Sequence, residues 1–372
     1  MDLRKHLKPA VSAVAVLGAF ALVATGCGSS NNNSGGGGGG GGSGKIALLL
    51  PESHTARYES QDRPLFTAQV KKLCSGCQVL YSNANEDATQ QQAQADAALT
   101  KGAKVLVVDA VDAGSAAAIV TKAKAQKVPV ISYDRLITNS DVDYYVSFDN
   151  AQVGKLQATS LVKKLTTDGK GSGTIVMING DPADNNAKLF KQGALSVFKT
   201  SKLKIGKSYD TPGWLGKNAQ NEMEQAITAL GNGGFVGVYA ANDTTGGAAI
   251  AAMKGAGIKP STRPTTGQDA ELAGIQRIVA GDQFMTVYKA YKPEAEDSAK
   301  IAVALAQGKK APAGLVNQQV DNGKKKVPSV ILTPIAVTKS NIQSTIVKDG
   351  FWKVSQICTS AYASACKAAG IK

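Results

Sequence analysis

From Lys45 onward, short apolar runs alternate with longer amphipathic stretches. "KIALLL", "QVLYSN", "KVLVVDA", "VPVISYD" and "YYVSFD" are the length of strands and rich in aliphatic and β-branched residues. Helical patterns such as "RPLFTAQVKKLC" and "SAAAIVTKAKAQK" lie between the earlier ones, with apolar positions three and four apart. After Asn150 the rhythm resumes: "NAQVGKLQATSLVKKL" reads as helix, "GTIVMING" as strand, "NAKLFKQGALSVFK" as helix, "LKIGKSYD" as strand and "NAQNEMEQAITAL" as helix. "FVGVYAAND" is a strand running into the helix "TTGGAAIAAMKGA", and "TTGQD", "AELAGIQRIVAG" and "QFMTVYK" complete the series. Alternation of this kind predicts βαβ units and parallel sheets. The strands are too many for one compact sheet, so the expected fold is α/β with two doubly wound parallel-sheet domains.

The N-terminus breaks this rhythm. "MDLRKHLK" is basic, "AVSAVAVLGAFALVA" is apolar, and "ATGC" ends at Cys27. The apolar run is short for a spanning helix and ends in small residues, as a cleaved signal does. A Cys after small residues, followed by "GSSNNNS", resembles a bacterial lipoprotein signal, although Ala24 stands where Leu is more usual. The resemblance implies a signal peptide over 1–26 and a lipidated Cys27 that becomes the first mature residue; the alternative is a retained N-terminal anchor. "SGGGGGGGGSG" then spans Ser34 to Gly44. Polyglycine cannot build a core, so residues 27–44 read as a flexible linker with a mean reach of roughly 20–25 Å.

A chain of 372 residues with 43% hydrophobic and 19% charged residues suits two globular domains. The formal net charge of +14 comes from dispersed lysines on a chain with an export signal. It reads as a solvated basic surface facing anionic lipid or wall polymer, with no nucleic-acid partner. With Cys27 assigned to lipid, the remaining cysteines form two local pairs, Cys74/Cys77 and Cys358/Cys366. Outside the cytoplasm two disulfides are the simplest reading; a redox CxxC is the alternative for the first pair. A zinc site is disfavoured, because beyond the signal His54 is the only histidine.

Open α/β sheets bind ligands beyond the carboxyl ends of their strands. The residues there are Arg57 and Tyr58, Asp134 and Arg135, Asp184, Asn185 and Asn186, Asn242 and Asp243, Asp269 and Lys289, with Trp214 in the loop "TPGWLGKN". The mixture suits a sugar: Asp accepts, Arg and Lys donate, Asn does both, and Trp or Tyr covers a pyranose face. The adjacent Asp134 and Arg135 are expected to hold each other ionised at a water-accessible strand end. The alternative for each Asp is capping of the helix that follows. "GKGSGT" precedes a strand instead of following one and no GxxxxGK[ST] occurs, so no nucleotide cofactor is expected. A Ser-His-Asp arrangement would have to use His54. Two carboxylates could still hydrolyse a glycoside. A sugar-responsive repressor core is a third class, opposed by the export signal and by the absence of a DNA-binding segment before Lys45.

The stretches "SYDRLI", "DYYVSFDNAQVGKLQA", "DNNAKLFKQGA", "ANDTTGGAAIAA", "GQDAELAGIQRIVAG" and "MTVYK" resemble the D-xylose-binding proteins of bacterial ABC transporters, within the periplasmic-binding-protein superfamily. The likeness runs from about Lys45 to Gly350. It implies a type I periplasmic-binding-protein fold with a three-crossing hinge. The implied N-terminal domain is 45–148 with 290–325, the C-terminal domain 149–289 with 326–350, and 351–372 a separate tail clasped by Cys358–Cys366. It also implies sugar contacts at Arg57, Asp134, Arg135, Asn186, Trp214, Asn242, Asp269 and Lys289; Tyr58 departs from the family, which often has Trp there. The expected protein is a monomeric, extracytoplasmic, lipid-anchored receptor on the outer face of the cytoplasmic membrane. It would hand a monosaccharide to an ABC permease, with no reaction, metal or cofactor.

Overall fold

A computed structural model describes residues 43–372. The signal-like segment, Cys27 and all but the last two linker residues lie outside the described residues. The first lobe is built from β1 (Lys45–Leu50), α1 (Arg63–Leu73), β2 (Gln78–Asn83), α2 (Ala88–Thr100), β3 (Ala103–Val108), α3 (Ala117–Ala125), β4 (Val130–Tyr133) and β5 (Tyr144–Phe148). The second contains α4 (Asn150–Thr167), β6 (Thr174–Asn179), α5 (Asn185–Phe198), β7 (Lys204–Asp210), α6 (Gly216–Leu230), β8 (Gly237–Ala240), α7 (Asp243–Gly255), α8 (Leu272–Ala280) and β9 (Met285–Tyr288). The chain then returns through α9 (Tyr291–Ala306), β10 (Gln318–Asp321) and β11 (Lys326–Leu332), and crosses again to β12 (Ile335–Thr338), α10 (Val354–Ile357) and α11 (Ala363–Ala368).

The first sheet has seven strands in the order β10-β11-β5-β4-β3-β1-β2, parallel except for β10. Its inner strands are apolar on both faces because helices cover both. Ala47, Leu49, Leu106 and Val108 pack with α2 and α3, while Ile46, Leu48, Val105 and Val107 pack with α1 and α9. The second sheet has β7-β6-β8 in parallel. Segment 264–269 extends it: Thr265 bridges Val238, and the Phe284 and Val287 amides donate to Thr265 and Gly267 at 3.0 and 3.1 Å. β12 then pairs antiparallel with β9. "TTGQD" thus lies in the sheet without forming a regular strand.

Two expectations are corrected here. The last domain boundary, expected at 326, falls after Leu332, because β11 lies parallel beside β5 with Val327, Ser329 and Val330 buried in the first lobe. The tail does not stand apart as one clasped helix. Two short helices flank the Cys358–Cys366 bridge, and Ile357, Cys366 and Ile371 are buried against Ile275, Ile278 and Val279 of α8. The structure likewise joins Cys74 to Cys77 at the end of α1.

α4 and α5 touch backbone to backbone. A methyl on Gly154 would overlap the Phe190 carbonyl, and one on Gly193 the Ala151 carbonyl. This contact sets the height of α5, whose first turn carries Asn186. Gly154→Ala should cost about 1–3 kcal/mol by overpacking, read as a lower urea midpoint at unchanged slope. Gly255→Ala, at the exposed end of α7 with open space around it, should leave the midpoint unchanged or raise it.

Candidate functional site

Of the strand-end residues named from the sequence, all nine expected to touch sugar, and Asp184 beside them, line one cavity at the carboxyl ends of the two sheets; Asn185 and Asp243 do not. Arg57 and Tyr58 follow β1, Asp134 and Arg135 follow β4, and Asn186 opens α5. Trp214 follows β7, Asn242 precedes α7, Asp269 precedes α8, and Lys289 follows β9 at a crossing between lobes. None is more than 4% exposed, so the cleft between the lobes is closed. Little free space is left between these side chains.

Asp134 is the centre of the arrangement. Its φ of 52° puts a non-glycine residue in the left-handed region. The turn is held by its neighbours: the Asp134 amide donates to the Val146 carbonyl at 2.8 Å, and its carbonyl accepts from Ser147 Oγ at 2.6 Å and Asn186 Nδ2 at 3.1 Å. The carboxylate accepts from Arg57 Nη1 at 3.0 Å. Arg57 also donates to both oxygens of Asp62 and, at 2.8 Å, to Glu294 Oε2, and its guanidinium lies 4.1 Å from the centre of the Tyr291 ring. Burial by itself would raise the Asp134 pKa; the Arg57, Lys289 and Arg135 charges outweigh it and hold the carboxyl at about 2.

The expected pairing of Asp134 with Arg135 at a wet strand end is therefore corrected. Beyond the left-handed turn the two side chains take different ionic partners and meet only through the Tyr58 hydroxyl, which donates to Asp134 Oδ2 at 3.4 Å; they are only 2% and 1% exposed. Arg135 Nε lies 3.3 Å from Asp184 Oδ2 and 3.5 Å from Asp109 Oδ1, and its Nη2 donates to the Tyr58 hydroxyl at 3.2 Å. Asp109, with no cation closer than this, is pushed well above the carboxylate range by burial and by the Asp134 charge.

Across the cleft, Lys289 Nζ sits 3.0 Å from Asp269 Oδ1. The Asn242 side chain caps α7 by accepting from the Thr245 amide at 2.8 Å. Capping therefore describes Asn242, and also Asp184, which accepts from the Asn186 amide at 2.7 Å; it does not describe Asp134 or Asp269, neither of which accepts from a helix amide. Trp214 donates from Nε1 to Asp184 Oδ2 at 3.2 Å and meets Phe190 edge to face. The lining also includes Thr55, Phe190 and Gln268, which the sequence-based set leaves out. Phe190 stands one turn beyond Asn186 on α5 and Gln268 adjoins Asp269, so spacing could have found both. Asp62 and Glu294, which stand behind Arg57, carry no local signal, whereas Asp109 stands in "KVLVVDA" at the carboxyl end of β3 and carries the same signal as Asp134. Among the described residues no cluster of His, Cys, Asp or Glu is arranged to hold a metal ion.

A family model described as "Periplasmic binding protein domain" matches residues 46–310. The chain belongs to the periplasmic binding protein family. Within it, the chain is 39% identical over 317 residues to the "D-xylose-binding periplasmic protein" of Escherichia coli, covering 84% of this chain and 92% of that one. It is 34% identical over 330 residues to the "Multiple sugar-binding periplasmic receptor ChvE" of Rhizobium radiobacter, covering 84% and 92%. Among solved structures, an ABC transporter solute-binding protein from Clostridium phytofermentans with bound β-D-glucose superposes with a TM-score of 0.77 at 30% identity, covering 84% of this chain and 99% of that one. A Caulobacter myo-inositol-binding protein shares the fold, with a TM-score of 0.72 at 21% identity over 83% and 97%. The architecture of this periplasmic binding protein is thus the type I fold.

At the cleft edge, Glu86 follows β2 in a left-handed turn and approaches the second lobe. Burial, then the charges of Glu52, Asp181 and Asp184, raise its pKa to about 8 against the opposing Arg135. Between about pH 4.5 and 8 the folded protein keeps a proton that the unfolded chain releases, so this group lowers stability as pH rises through that window. Glu86→Gln should therefore raise the melting temperature relative to the parent at pH 8 and make little difference at pH 4.5, as thermal scans at the two values would show.

Proposed function

We propose that this protein is an extracytoplasmic receptor that captures a monosaccharide, D-xylose, in the closed cleft and hands it to an ABC permease. The charge pairing within the cavity carries the reading. Arg57 faces Asp134, Arg135 faces Asp184 and Lys289 faces Asp269. Each cation that lines the space already has a carboxylate partner, so the ligand need not supply charge. What these pairs offer is directional donors and acceptors for a neutral polyol. The Asn242 amide nitrogen makes no hydrogen bond among the described residues, and the Gln268 Oε1 acceptor is buried without a partner. Trp214 and Phe190 supply the apolar wall that a sugar ring needs. The relatives named for several sugars support the ligand class, and those named for D-xylose, at 39% identity, support xylose within it.

No reaction is required. Sugar enters the open cleft, the lobes close about the three crossings, and the permease receives the closed form. A micromolar dissociation constant corresponds to about −8 kcal/mol, within reach of a few charge-assisted bonds and one stacked ring after ordering costs. Lipidation of Cys27 would keep the receptor, as a monomer, beside the membrane on its glycine tether.

Calorimetry with D-xylose, D-glucose, L-arabinose and D-ribose tests the ligand: xylose should bind tightest, and a clear preference for glucose would replace it. Chromatography after incubation with xylose and xylosides should return them unchanged. Asp134→Asn should weaken binding by about 2–4 kcal/mol, combining a lost charged bond with an unbalanced Arg57. It should also lower the melting temperature of the sugar-free protein, since a buried ion pair is broken. Anchoring is tested separately. Cys27→Ala should release the protein into the medium or leave it unprocessed, and a processed mutant retained on the membrane would remove lipid from the account.

A further inference from the structure

The tail lies beyond the segment matched by the family model, which ends at residue 310, yet it reaches the back of the cavity. Asp269 and Ala270 are consecutive non-glycine residues in the left-handed region, with φ of 87° and 48°. Such a turn persists only where its surroundings over-determine it. Every backbone polar group of the turn is engaged. The Asp269 amide donates to the Val287 carbonyl at 2.8 Å, and the Ala270 amide to Thr286 Oγ1 at 3.2 Å. The Glu271 amide donates to Asp243 Oδ2 at 2.9 Å, and the Asp269 carbonyl accepts from the Tyr291 hydroxyl at 2.9 Å. The remaining group, the Ala270 carbonyl, accepts from Trp352 Nε1 at 2.8 Å. Phe351 fills the space beside it, with its ring 4.9 Å from Tyr288, 5.4 Å from Tyr291 and 5.4 Å from Trp352. Tyr291 in turn donates to Asp269 Oδ1 at 3.0 Å and lies against the Arg57 guanidinium.

We propose that Trp352 is a positioning residue for the sugar site: its indole N–H holds the Asp269–Ala270 turn that aims the Asp269 carboxylate at Lys289 and the cavity. The proposal rests on the monosaccharide-receptor reading. It makes the tail part of the binding machinery through Asp269, although Trp352 itself touches no ligand.

Trp352→Phe keeps an aromatic ring and removes the donor. It should weaken D-xylose binding roughly three- to tenfold, the size of one net hydrogen bond. In an Asp269→Asn background the same change should add little, because the effect runs through that carboxylate. Equal weakening in both backgrounds, or unchanged affinity, overturns the proposal. Amide exchange at Ala270 and Glu271 in the sugar-free protein gives a readout that needs no ligand. It should quicken in Trp352→Phe while distant strands keep their protection, and unchanged exchange there also overturns the proposal. A parent protein that binds none of the sugars defeats the receptor reading, while exchange still decides the role of Trp352. A Trp352→Phe chain that fails to fold assigns the indole to the core and ends the proposal.

Discussion

One buried guanidinium holds the first lobe's half of the site together. Arg57 engages Asp62, Asp134 and Glu294 at once, from the turn before α1, the end of β4 and the first turns of α9. Taking these charges out of water costs several kcal/mol per ion unless each is paired and hydrogen-bonded. The geometry meets most of that requirement: the guanidinium donates to Asp62, Asp134 and Glu294 and lies 4.1 Å from the centre of the Tyr291 ring, while Glu294 Oε1 is left without a hydrogen-bond partner. The Tyr133 hydroxyl completes Asp62. Because the partners come from three elements, the cluster ties the loop after β1 to the end of β4 and to α9.

The surplus of carboxylates has a second consequence. Asp109 and Glu294 are both driven toward the protonated form, first by burial and then by neighbouring acids, against the pull of the arginines. Asp134, beside Arg57, Lys289 and Arg135, stays ionised. The arginines are thus oriented by acids behind them while Asp134 keeps its charge toward the cavity. Groups held in place before a ligand arrives lose little further freedom when it binds, so more of each hydrogen bond appears as affinity.

The alternation of strands and helices was legible because buried parallel strands read as continuous apolar runs, and nearly every polar residue that lines the cavity sits where such a run stops. The parts that were not legible share a cause. α2 buries mainly alanines and Gln91, so its inward face has no bulky apolar stripe to detect. β11 carries Pro328 and begins with Lys326 after two further lysines, which reads as a loop until β5 is known to lie beside it. The neighbours Asp134 and Arg135 suggested a pair, yet the partners that matter are Arg57 and Asp184, many positions away in the chain. Local sequence reveals a residue's chemistry and strand position; it does not reveal a left-handed turn beyond which adjacent side chains take different ionic partners.

The hinge and the cavity are also not separate parts. The chain passes between lobes beside Asp149, at Lys289 and Ala290, and between Leu332 and Ile335. Lys289 both lines the cavity and stands at a crossing, and Tyr291, two residues on, touches Arg57 of one lobe and Asp269 of the other. A ligand that draws Lys289 and Asp269 toward Asp134 acts on the same backbone that must rotate for the lobes to close. Under the proposed receptor reading, closure would need no relay through the lobes, because the contact that favours the closed state would be made at the pivot itself.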